Sequence, residues 1–364
     1  MKRDLVILTS RNKFFGQTRK PWSSLDVDKI AAILTQKGWQ VELHDFHQVV
    51  NSPVELKNRT IFYAFSQKEN YRQYINDIIY HLSKENRVIP SCDLLKCHEN
   101  KGYQEIYKKA VGLSGLSGLY FSSGEEVDPN SLKYPLVLKT TEGTNGKGVF
   151  LIRDAGDLMK HFKRLKNRLG IGKKIDLLRR KYFRKKKFKE YPHYSDRQDY
   201  MEYREYLKVE KNFVLQEFVP GLDFDYRVLT AGNRYYVMKR SVNKGDFRAS
   251  GTKKFSFNKE PDPALLDFAR SVYQKLDTPF LSLDILFNGK DFFLVEFQAL
   301  HFGMSVVAKS EGFFSALPDK PWTFVEEKPH LENLFAQTLM DYLDMPVLED
   351  DAQALETSGK DKID

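Results

Sequence analysis

Residues 280–298 read FLSLDILFNGKDFFLVEFQ, which is two apolar segments separated by a short polar turn. Polar residues alternate with apolar ones along both segments, and the residues of a strand point alternately to the two faces of a sheet. The pattern therefore predicts a β-hairpin. If the turn has three residues, as Asn-Gly-Lys at 288–290 would give, Asp284, Glu296 and Gln298 lie on one face of the hairpin.

Two carboxylates on this predicted face need a partner. An unpaired carboxylate inside an apolar strand is costly, and the charges of Asp284 and Glu296 on neighbouring strands repel each other. A divalent cation removes both problems, and oxygen ligands of this kind suit Mg²⁺. A solvated sheet face, or salt bridges to nearby Lys and Arg, are the alternative interpretations.

A glycine-rich loop lies earlier in the chain, in KTTEGTNGKGV at residues 139–149. It joins two apolar segments, YPLVLK and GVFLIR, and Asn145-Gly146 is a strong signal for a hairpin turn. A P-loop has Gly-Lys-Ser/Thr leading into a helix, whereas here Gly-Lys-Gly leads into a strand. The loop predicts a flexible hairpin whose backbone N–H groups cover phosphates. An ordinary surface turn is the alternative.

Cationic side chains accompany these two hairpins. Lys139 ends the strand that precedes the glycine-rich loop. A further hairpin, DYRVLT and RYYVMKR joined by AGN, contains Arg227, Lys239 and Arg240, and Arg248 follows shortly after it. Clusters of this kind bind phosphates and carboxylates, although a solvated basic surface would show the same pattern.

The rest of the chain has the pattern of a folded α/β protein. Its 364 residues are 41% hydrophobic, which is enough for a sizeable core in two or three domains. The segments DLVILT and WQVELHDF flank an amphipathic helix, and this β-α-β order predicts parallel strands. The chain has no apolar run long enough for a membrane span or a signal peptide, and only two cysteines, so we expect a cytoplasmic protein.

A basic segment, residues 160–189, dominates the charge of the chain. It contains 15 Lys/Arg and one acid, so its net charge is +14. Because this exceeds the net charge of +9 of the whole chain, the other residues together carry a net negative charge. Leucines and aromatic residues lie among these cations. We expect the segment to contact an anionic macromolecule, such as a sugar-phosphate polymer, a lipid-linked glycan, an acidic protein tail or nucleic acid. The alternative is a solvated helix that serves solubility.

The order of these motifs resembles the ATP-grasp superfamily, and within it the branch of ribosomal-protein glutamate ligase and glutathione synthetase. The resemblance covers roughly residues 97–305 and rests on a lysine, a glycine-rich hairpin, QEF, DYR, MKR, FRASG, LDIL and VEFQ in that order. No single motif is specific, but the ordered set is.

The resemblance implies an α/β (α+β) chain with the ATP-grasp fold. An N-terminal α/β pre-ATP-grasp domain would precede two α+β subdomains that sandwich the nucleotide. The expected parts are this N-terminal domain at 1–95, a linker helix and central segment at 96–130, a lid subdomain at 131–219 with the basic insertion 160–189, a catalytic subdomain at 220–346 and an acidic, disordered tail at 347–364.

The resemblance also implies roles for individual residues, with ATP and Mg²⁺ as cofactors. Residues expected to bind the nucleotide are Lys101, Lys139, Gly143, Thr144, Gly146, Gly148, Glu217, Phe218, Asp225 and Ser250. Residues expected to face the transferred phosphoryl group or the activated substrate are Arg227, Lys239 and Arg248. The expected metal ligands are Asp284, Glu296 and Gln298, where the family usually has Glu-x-Asn in place of Glu296-x-Gln298.

The activity that the resemblance implies is ATP-dependent ligation of a carboxylate to an amine through an acyl phosphate. The substrates would be small molecules or groups linked to a polymer. An ATP-dependent phosphotransferase and a nucleotide-binding protein without catalysis are the alternatives, and the departure at Gln298 favours the second of them.

Overall fold

The computed structural model covers the greater part of the chain. It describes residues 3–345 except 20, 21, 53, 66–68, 114, 142, 144, 145, 167, 168, 184–195, 208, 209, 244, 249–251, 253, 318 and 319. The expected acidic tail at 347–364 therefore lies outside the described residues, as do Thr144, Ser250 and the last six residues of the basic segment, 184–189.

The N-terminal region forms a parallel α/β unit, as its β-α-β order predicts. In chain order its elements are β1 (Asp4–Thr9), β2 (Gln17–Arg19), β3 (Trp22–Ser24), α1 (Val27–Gln36), β4 (Gln40–Asp45), α2 (Phe46–Asn51), β5 (Thr60–Tyr63), α3 (Glu69–Leu82) and β6 (Arg87–Ile89). Four strands form the first sheet, all parallel and in the order β4-β1-β5-β6, while β2 pairs with β3. Asp26 caps α1, and Ile30 and Leu34 are buried on the inner face of that helix.

The middle region contains an antiparallel second sheet and the basic segment. Its elements are α4 (Cys92–Cys97), α5 (Lys101–Ala110), β7 (Gly118–Phe121), β8 (Leu136–Thr140), β9 (Val149–Ile152), α6 (Ala155–Leu165), α7 (Ile171–Tyr182), α8 (Asp196–Leu207) and β10 (Phe213–Glu217). The second sheet has the order β7-β10-β8-β9. The expected hairpin around the glycine-rich loop is confirmed as β8 and β9. The strand β7, which lies in the range predicted as linker and central segment, joins this sheet by pairing with β10.

The C-terminal region is built on a third, larger antiparallel sheet. Its elements are β11 (Phe224–Ala231), β12 (Arg234–Ser241), β13 (Phe255–Phe257), α9 (Pro263–Gln274), β14 (Phe280–Phe287), β15 (Phe292–Gln298), α10 (Ser305–Lys309), β16 (Gly312–Ser315), β17 (Thr323–Glu326) and α11 (Leu331–Asp344). The order is β15-β14-β11-β12-β16-β17, and β13 pairs with β12. Asp262 caps α9, with Pro263 at its first position, and Leu265, Ala269 and Val272 pack beneath the sheet.

The largest hydrophobic core joins the first sheet to the third. Phe335 of α11 lies at its centre, with ring centroids 5.5 Å from Phe15, 5.6 Å from Phe62 and 4.2 Å from Phe280. These rings are almost fully buried. The helix at the end of the described chain therefore packs against elements from its beginning. None of the helices in the described part of the chain is both long and apolar enough to cross a membrane.

Candidate active site

A cavity lies between the second and third sheets, and most residues implied by the motif order line it. Its walls come from β8 and β10 on one side and from β11, β12, β14 and β15 on the other. Gly148 is absent from the lining and instead accepts a hydrogen bond from the Thr140 N–H at the base of the glycine-rich hairpin. The predicted site residues that line the cavity are Lys101, Lys139, Gly143, Gly146, Glu217, Phe218, Asp225, Arg227, Arg248, Asp284, Glu296 and Gln298.

The acidic pair in this cavity depends on a β-bulge in the β14–β15 hairpin. The turn has four residues, 288–291, so the expected three-residue turn is wrong. A four-residue turn alone would place Asp284 opposite Val295. The bulge next to Asp284 shifts the register by one residue, so that Asp284 pairs with Glu296. The alternation along β15 predicts that Leu294 shares a face with Glu296 and Gln298. Because of the shift in register, Leu294 is instead buried in the core.

Two arginines hold the carboxylate of Asp284. Arg227 donates from Nε and Nη2 to the two carboxylate oxygens at 2.7 and 2.8 Å, and Arg240 Nη2 lies 3.0 Å from Oδ2. Arg240 also donates twice to Asp225, at 2.6 Å each. Burial opposes ionisation of Asp284, but the charges of Arg227 and Arg240 outweigh it and lower the pKa of Asp284 far below its usual range. Asp284 is therefore an ion-paired carboxylate, which was the salt-bridge alternative considered from the sequence.

Lys239 does not face the cavity, and the neighbouring Arg240 does. Adjacent residues of a strand point to opposite faces, and Lys239 Nζ lies 3.7 Å from the centroid of the Phe224 ring. The β11–β12 turn consists of residues 232–233 alone, whereas AGN suggests three residues. This one-residue difference sets Arg240 opposite Asp225. Lys239 therefore lies on the face of β12 that points away from the cavity, and Arg240 takes the place on the cavity side that the sequence suggests for Lys239.

Lys139 lies at the end of a buried chain of polar side chains. Its Nζ donates to Gln216 Oε1 at 2.6 Å, and Gln216 Nε2 donates to Glu105 Oε1 at 3.1 Å. Lys108 donates to the same Glu105 oxygen at 2.7 Å. Burial lowers the pKa of Lys139 to about 8, because its ammonium loses hydration. Sequence reasoning missed Gln216, Glu105 and Lys108; the one local signal is the three-residue spacing of the last two on α5.

The glycine-rich loop is held from two directions. Lys101, the first residue of α5, donates Nζ to Gly143 O at 2.9 Å, and Arg248 Nη1 donates to Gly146 O at 3.1 Å. Gly143 and Gly146 have φ values of +130° and +73°, which favour glycine. A Cβ atom on Gly143 would lie 2.6 Å from Lys147 O. The loop conformation at the cavity therefore requires glycine at position 143.

Gln298 connects Glu296 to a buried histidine that sequence reasoning missed. Gln298 Nε2 donates to Glu296 Oε1 at 3.0 Å, and Gln298 Oε1 lies 2.9 Å from His98 Nδ1. Burial lowers the pKa of His98 to about 4, so its ring is neutral and Nδ1 is the donor to Gln298. The His98 ring lies 5.1 Å from His301, which lines the cavity, and 6.0 Å from Phe65.

The acidic edge of the cavity fits a hard divalent cation in its chemistry. Asp284 and Glu296 present carboxylates from directly paired residues, and Gln298 adds an amide. Gln298 Oε1 faces His98, so a cation would compete with His98 for that oxygen. Within the described ranges no three or more His, Cys, Asp and Glu side chains are grouped to hold a metal. A cation here would therefore also need oxygens from a bound ligand.

The arrangement of sheets matches solved structures at low sequence identity. D-cycloserine synthetase DcsG aligns with 93% of this chain and 99% of its own, at 13% identity and a TM-score of 0.50. The chain has the ATP-grasp fold. The ATP-grasp ligase PsnB, solved in complex with a minimal precursor, aligns with 94% of this chain and 100% of its own, at 10% identity and a TM-score of 0.50.

The ATP-grasp fold predicted from the motif order is thus confirmed. A RimK domain ATP-grasp protein from Sphaerobacter thermophilus aligns with 83% of this chain and 93% of its own, at 12% identity and a TM-score of 0.48. No protein-family model and no curated protein sequence matches the chain.

Proposed function

We propose that this protein is an ATP-dependent ligase that joins a carboxylate to an amine through an acyl phosphate, with Mg²⁺ as its metal. The supporting observation is one cavity that contains the acidic pair Asp284 and Glu296 together with the cations Lys101, Lys139 and Arg248. A triphosphate needs cations around its oxygens, and a magnesium ion that accompanies it needs carboxylate ligands. The same cavity offers both the cations and the carboxylates.

The nucleotide would lie between the second and third sheets. Glu217 ends β10 and Phe218 follows it, where the chain leaves the second sheet, and the Glu217 backbone and Phe218 are suited to contact the adenine base. Val137 and Leu286 give the same cavity an apolar part for the base. The phosphates would contact Lys101 and Lys139, and the glycine-rich loop would cover them and exclude water.

The reaction would take place beside the acidic pair. Asp284, Glu296 and Gln298 would hold Mg²⁺, which supplies positive charge to the transferring phosphoryl group. Among the described residues, Arg227 Nη1 has no hydrogen-bond partner, so it is available to orient the substrate carboxylate.

A carboxylate oxygen of the substrate would attack the γ-phosphorus of ATP, and ADP would leave. The amine would then attack the carbonyl carbon of the acyl phosphate, the bond from that carbon to the phosphate oxygen would break, inorganic phosphate would leave, and the nitrogen would release one proton to the solvent or the leaving phosphate.

A polymer-linked substrate is compatible with this proposal. PsnB, which shares the fold, was solved with a minimal precursor bound. The cavity of the present chain is also lined by His301 and Ser305, which follow β15 and are suited to contact an acceptor beyond the acidic pair.

The test is a scan of amino acids, peptides and acidic cell extracts for release of phosphate from ATP and Mg²⁺, followed by mass spectrometry. A ligase gives ADP, free phosphate and an amide in equal amounts. A phosphotransferase gives ADP and a phosphorylated product without free phosphate, and a binding protein gives no turnover. Either of the last two results, obtained with an acceptor that the protein binds, would refute the proposal.

A further inference from the structure

Helix α7 of the basic segment has an apolar stripe that no other described residue buries. Ile171, Ile175, Leu178 and Tyr182 recur at spacings of four, three and four, so they lie along one side of the helix. Their exposed fractions are 78%, 53%, 55% and 60%. The helix contains no buried residue at all. An exposed apolar stripe of this length is typical of an interaction surface.

The opposite side of α7 packs on α8, which fixes the direction of the stripe. Arg180 Nη1 donates to Asp199 Oδ1 at 3.0 Å, and its guanidinium lies 3.7 Å from the centroid of the Tyr203 ring. Asp176, one turn earlier on α7, lies 3.8 Å from Arg180 Nε. Because Arg180 lies on the other side of the helix from Ile171 and Leu178, the stripe points away from α8.

Cations border the stripe on both sides. The helix has five Lys/Arg and one acid. Successive residues of an α-helix are turned by about 100° around its axis, which sets Lys174 and Lys181 along one edge of the stripe and Arg179 along the other. These three side chains are exposed. Their methylene stems extend the apolar surface, and their charged ends stand at its margins.

We propose that α7 is a membrane-binding surface for anionic phospholipid bilayers. A helix with an apolar stripe and cationic borders lies in the headgroup region, with the stripe toward the acyl chains and the cations on the lipid phosphates. With 12 residues the helix is about 18 Å long, so it lies on a bilayer and does not span it. This inference is independent of the proposed ligase activity.

Other anionic partners fit α7 less well. A nucleic acid would use the cations but gain nothing from an aliphatic stripe, because its affinity comes from phosphate contacts. Interfaces between proteins are depleted in lysine, whereas Lys174 and Lys181 border this stripe. A lipid surface uses both the apolar and the cationic groups.

Flotation of the full-length protein with vesicles tests the proposal. We expect it to float with vesicles of equal phosphatidylglycerol and phosphatidylcholine and to remain unbound with phosphatidylcholine alone. Binding to the anionic vesicles should fall by about tenfold or more in Ile175→Ser/Leu178→Ser, and by a similar factor in Lys174→Gln/Arg179→Gln/Lys181→Gln. Since α7 buries no residue, both variants should keep the wild-type melting temperature.

Two matched controls distinguish binding through α7 from non-specific attraction of the protein to the vesicles. Lys160→Gln/Lys163→Gln/Arg164→Gln removes the same charge from exposed positions of α6, and Tyr206→Ser removes an exposed aromatic residue from α8. Both controls should float like the wild type. The proposal is overturned if the wild type fails to float, if the α6 variant loses as much binding as the α7 variants, or if Ile175→Ser/Leu178→Ser floats normally. If the wild type does not float but is captured on duplex DNA or polyglutamate, and this capture is lost in Lys174→Gln/Arg179→Gln/Lys181→Gln but not in Ile175→Ser/Leu178→Ser, α7 is assigned to those partners instead.

Discussion

Arg240 and Asp225 form two hydrogen bonds of 2.6 Å across the β11–β12 pair, and both side chains are almost fully buried. The same guanidinium reaches Asp284, so a single arginine joins two carboxylates at the floor of the cavity. Removing one partner of a buried ion pair leaves a charge without compensation. The site and the stability of the third sheet are therefore linked through Arg240.

Replacing Arg240 by methionine is expected to lower the free energy of unfolding by about 3–5 kcal/mol, because Asp225 stays buried without its partner. ATP turnover should be lost as well. Urea denaturation and a phosphate-release assay measure the two effects. The control is Lys239→Met, which removes the neighbouring cation on the other face of β12 and should cost about 1 kcal/mol or less, with turnover retained. Equal losses in the two variants would contradict the orientation of β12.

Gly143→Ala should impair nucleotide binding, because its φ of +130° and the approach of Lys147 O strain any side chain at this position. We expect the KM for ATP to rise about tenfold, which corresponds to strain of about 1–2 kcal/mol in the loop. Steady-state kinetics measure the change. Gly172→Ala is the matched control, since no atom lies within 4 Å of a Cβ atom there, and its KM should equal that of the wild type. An unchanged KM in Gly143→Ala would show that the loop does not cover the nucleotide.

Nucleotide affinity should depend on pH through Lys139, whose pKa is lowered to about 8 by burial. The protonated ammonium is the form that binds phosphate, so affinity for a non-hydrolysable ATP analogue should be constant near pH 7. Above pH 8 it should fall by about tenfold per pH unit. Calorimetric titrations across this range measure the profile. Lys139→Met should bind more weakly, without this dependence, and a flat wild-type profile would argue against a phosphate contact.

The same lowered pKa has a consequence for the stability of the free protein. Between pH 8 and the ordinary lysine pKa of 10.5, the unfolded chain binds a proton at Lys139 that the folded chain has lost. The free energy of unfolding should therefore rise with pH in this window. Lys139→Met should remove the rise, which urea denaturation at several pH values would detect.

The two acids of the cavity should differ in what they contribute. Asp284→Asn removes a charge that compensates two arginines. We therefore expect the free energy of unfolding to fall by about 3–5 kcal/mol and the activity to be lost. Glu296→Gln breaks no ion pair with a described residue and should leave stability nearly unchanged. It should raise the Mg²⁺ concentration needed for activity by about tenfold or more. Mn²⁺ binding followed by electron paramagnetic resonance in the presence of ADP provides a readout besides activity, and wild-type Mn²⁺ affinity in Glu296→Gln would refute the metal assignment.

Local patterns predicted the strands and motifs well, but turn lengths decided which side chains face the cavity. A one-residue error in the β11–β12 turn exchanges Lys239 for Arg240, since each residue of register reverses the face. The β14–β15 turn was also misjudged by one residue, yet Asp284 and Glu296 pair because a bulge compensates. A bulge follows from the packing of both faces of a sheet, and the alternation of residues along one strand does not reveal it.

Contacts between distant parts of the chain had no signal in the sequence. His98 and Gln298 are separated by 200 residues, and Gln216 and Glu105 by 111, yet each pair shares a hydrogen bond in or behind the cavity. Hydrophobic periodicity identifies helices and strands but not which polar residues meet once these elements pack. His98 and Glu105 were missed for this reason, and so was Gln216, although it belongs to the QEF motif.

The core around Phe335 can form only after α11 has been synthesised. Phe15 and Phe62 are covered by α11, which leaves the ribosome last among the described elements. During translation the apolar face of the first sheet therefore stays exposed to solvent until α11 has emerged. Chaperones that shield apolar surfaces during synthesis would therefore have their longest contact with the first sheet.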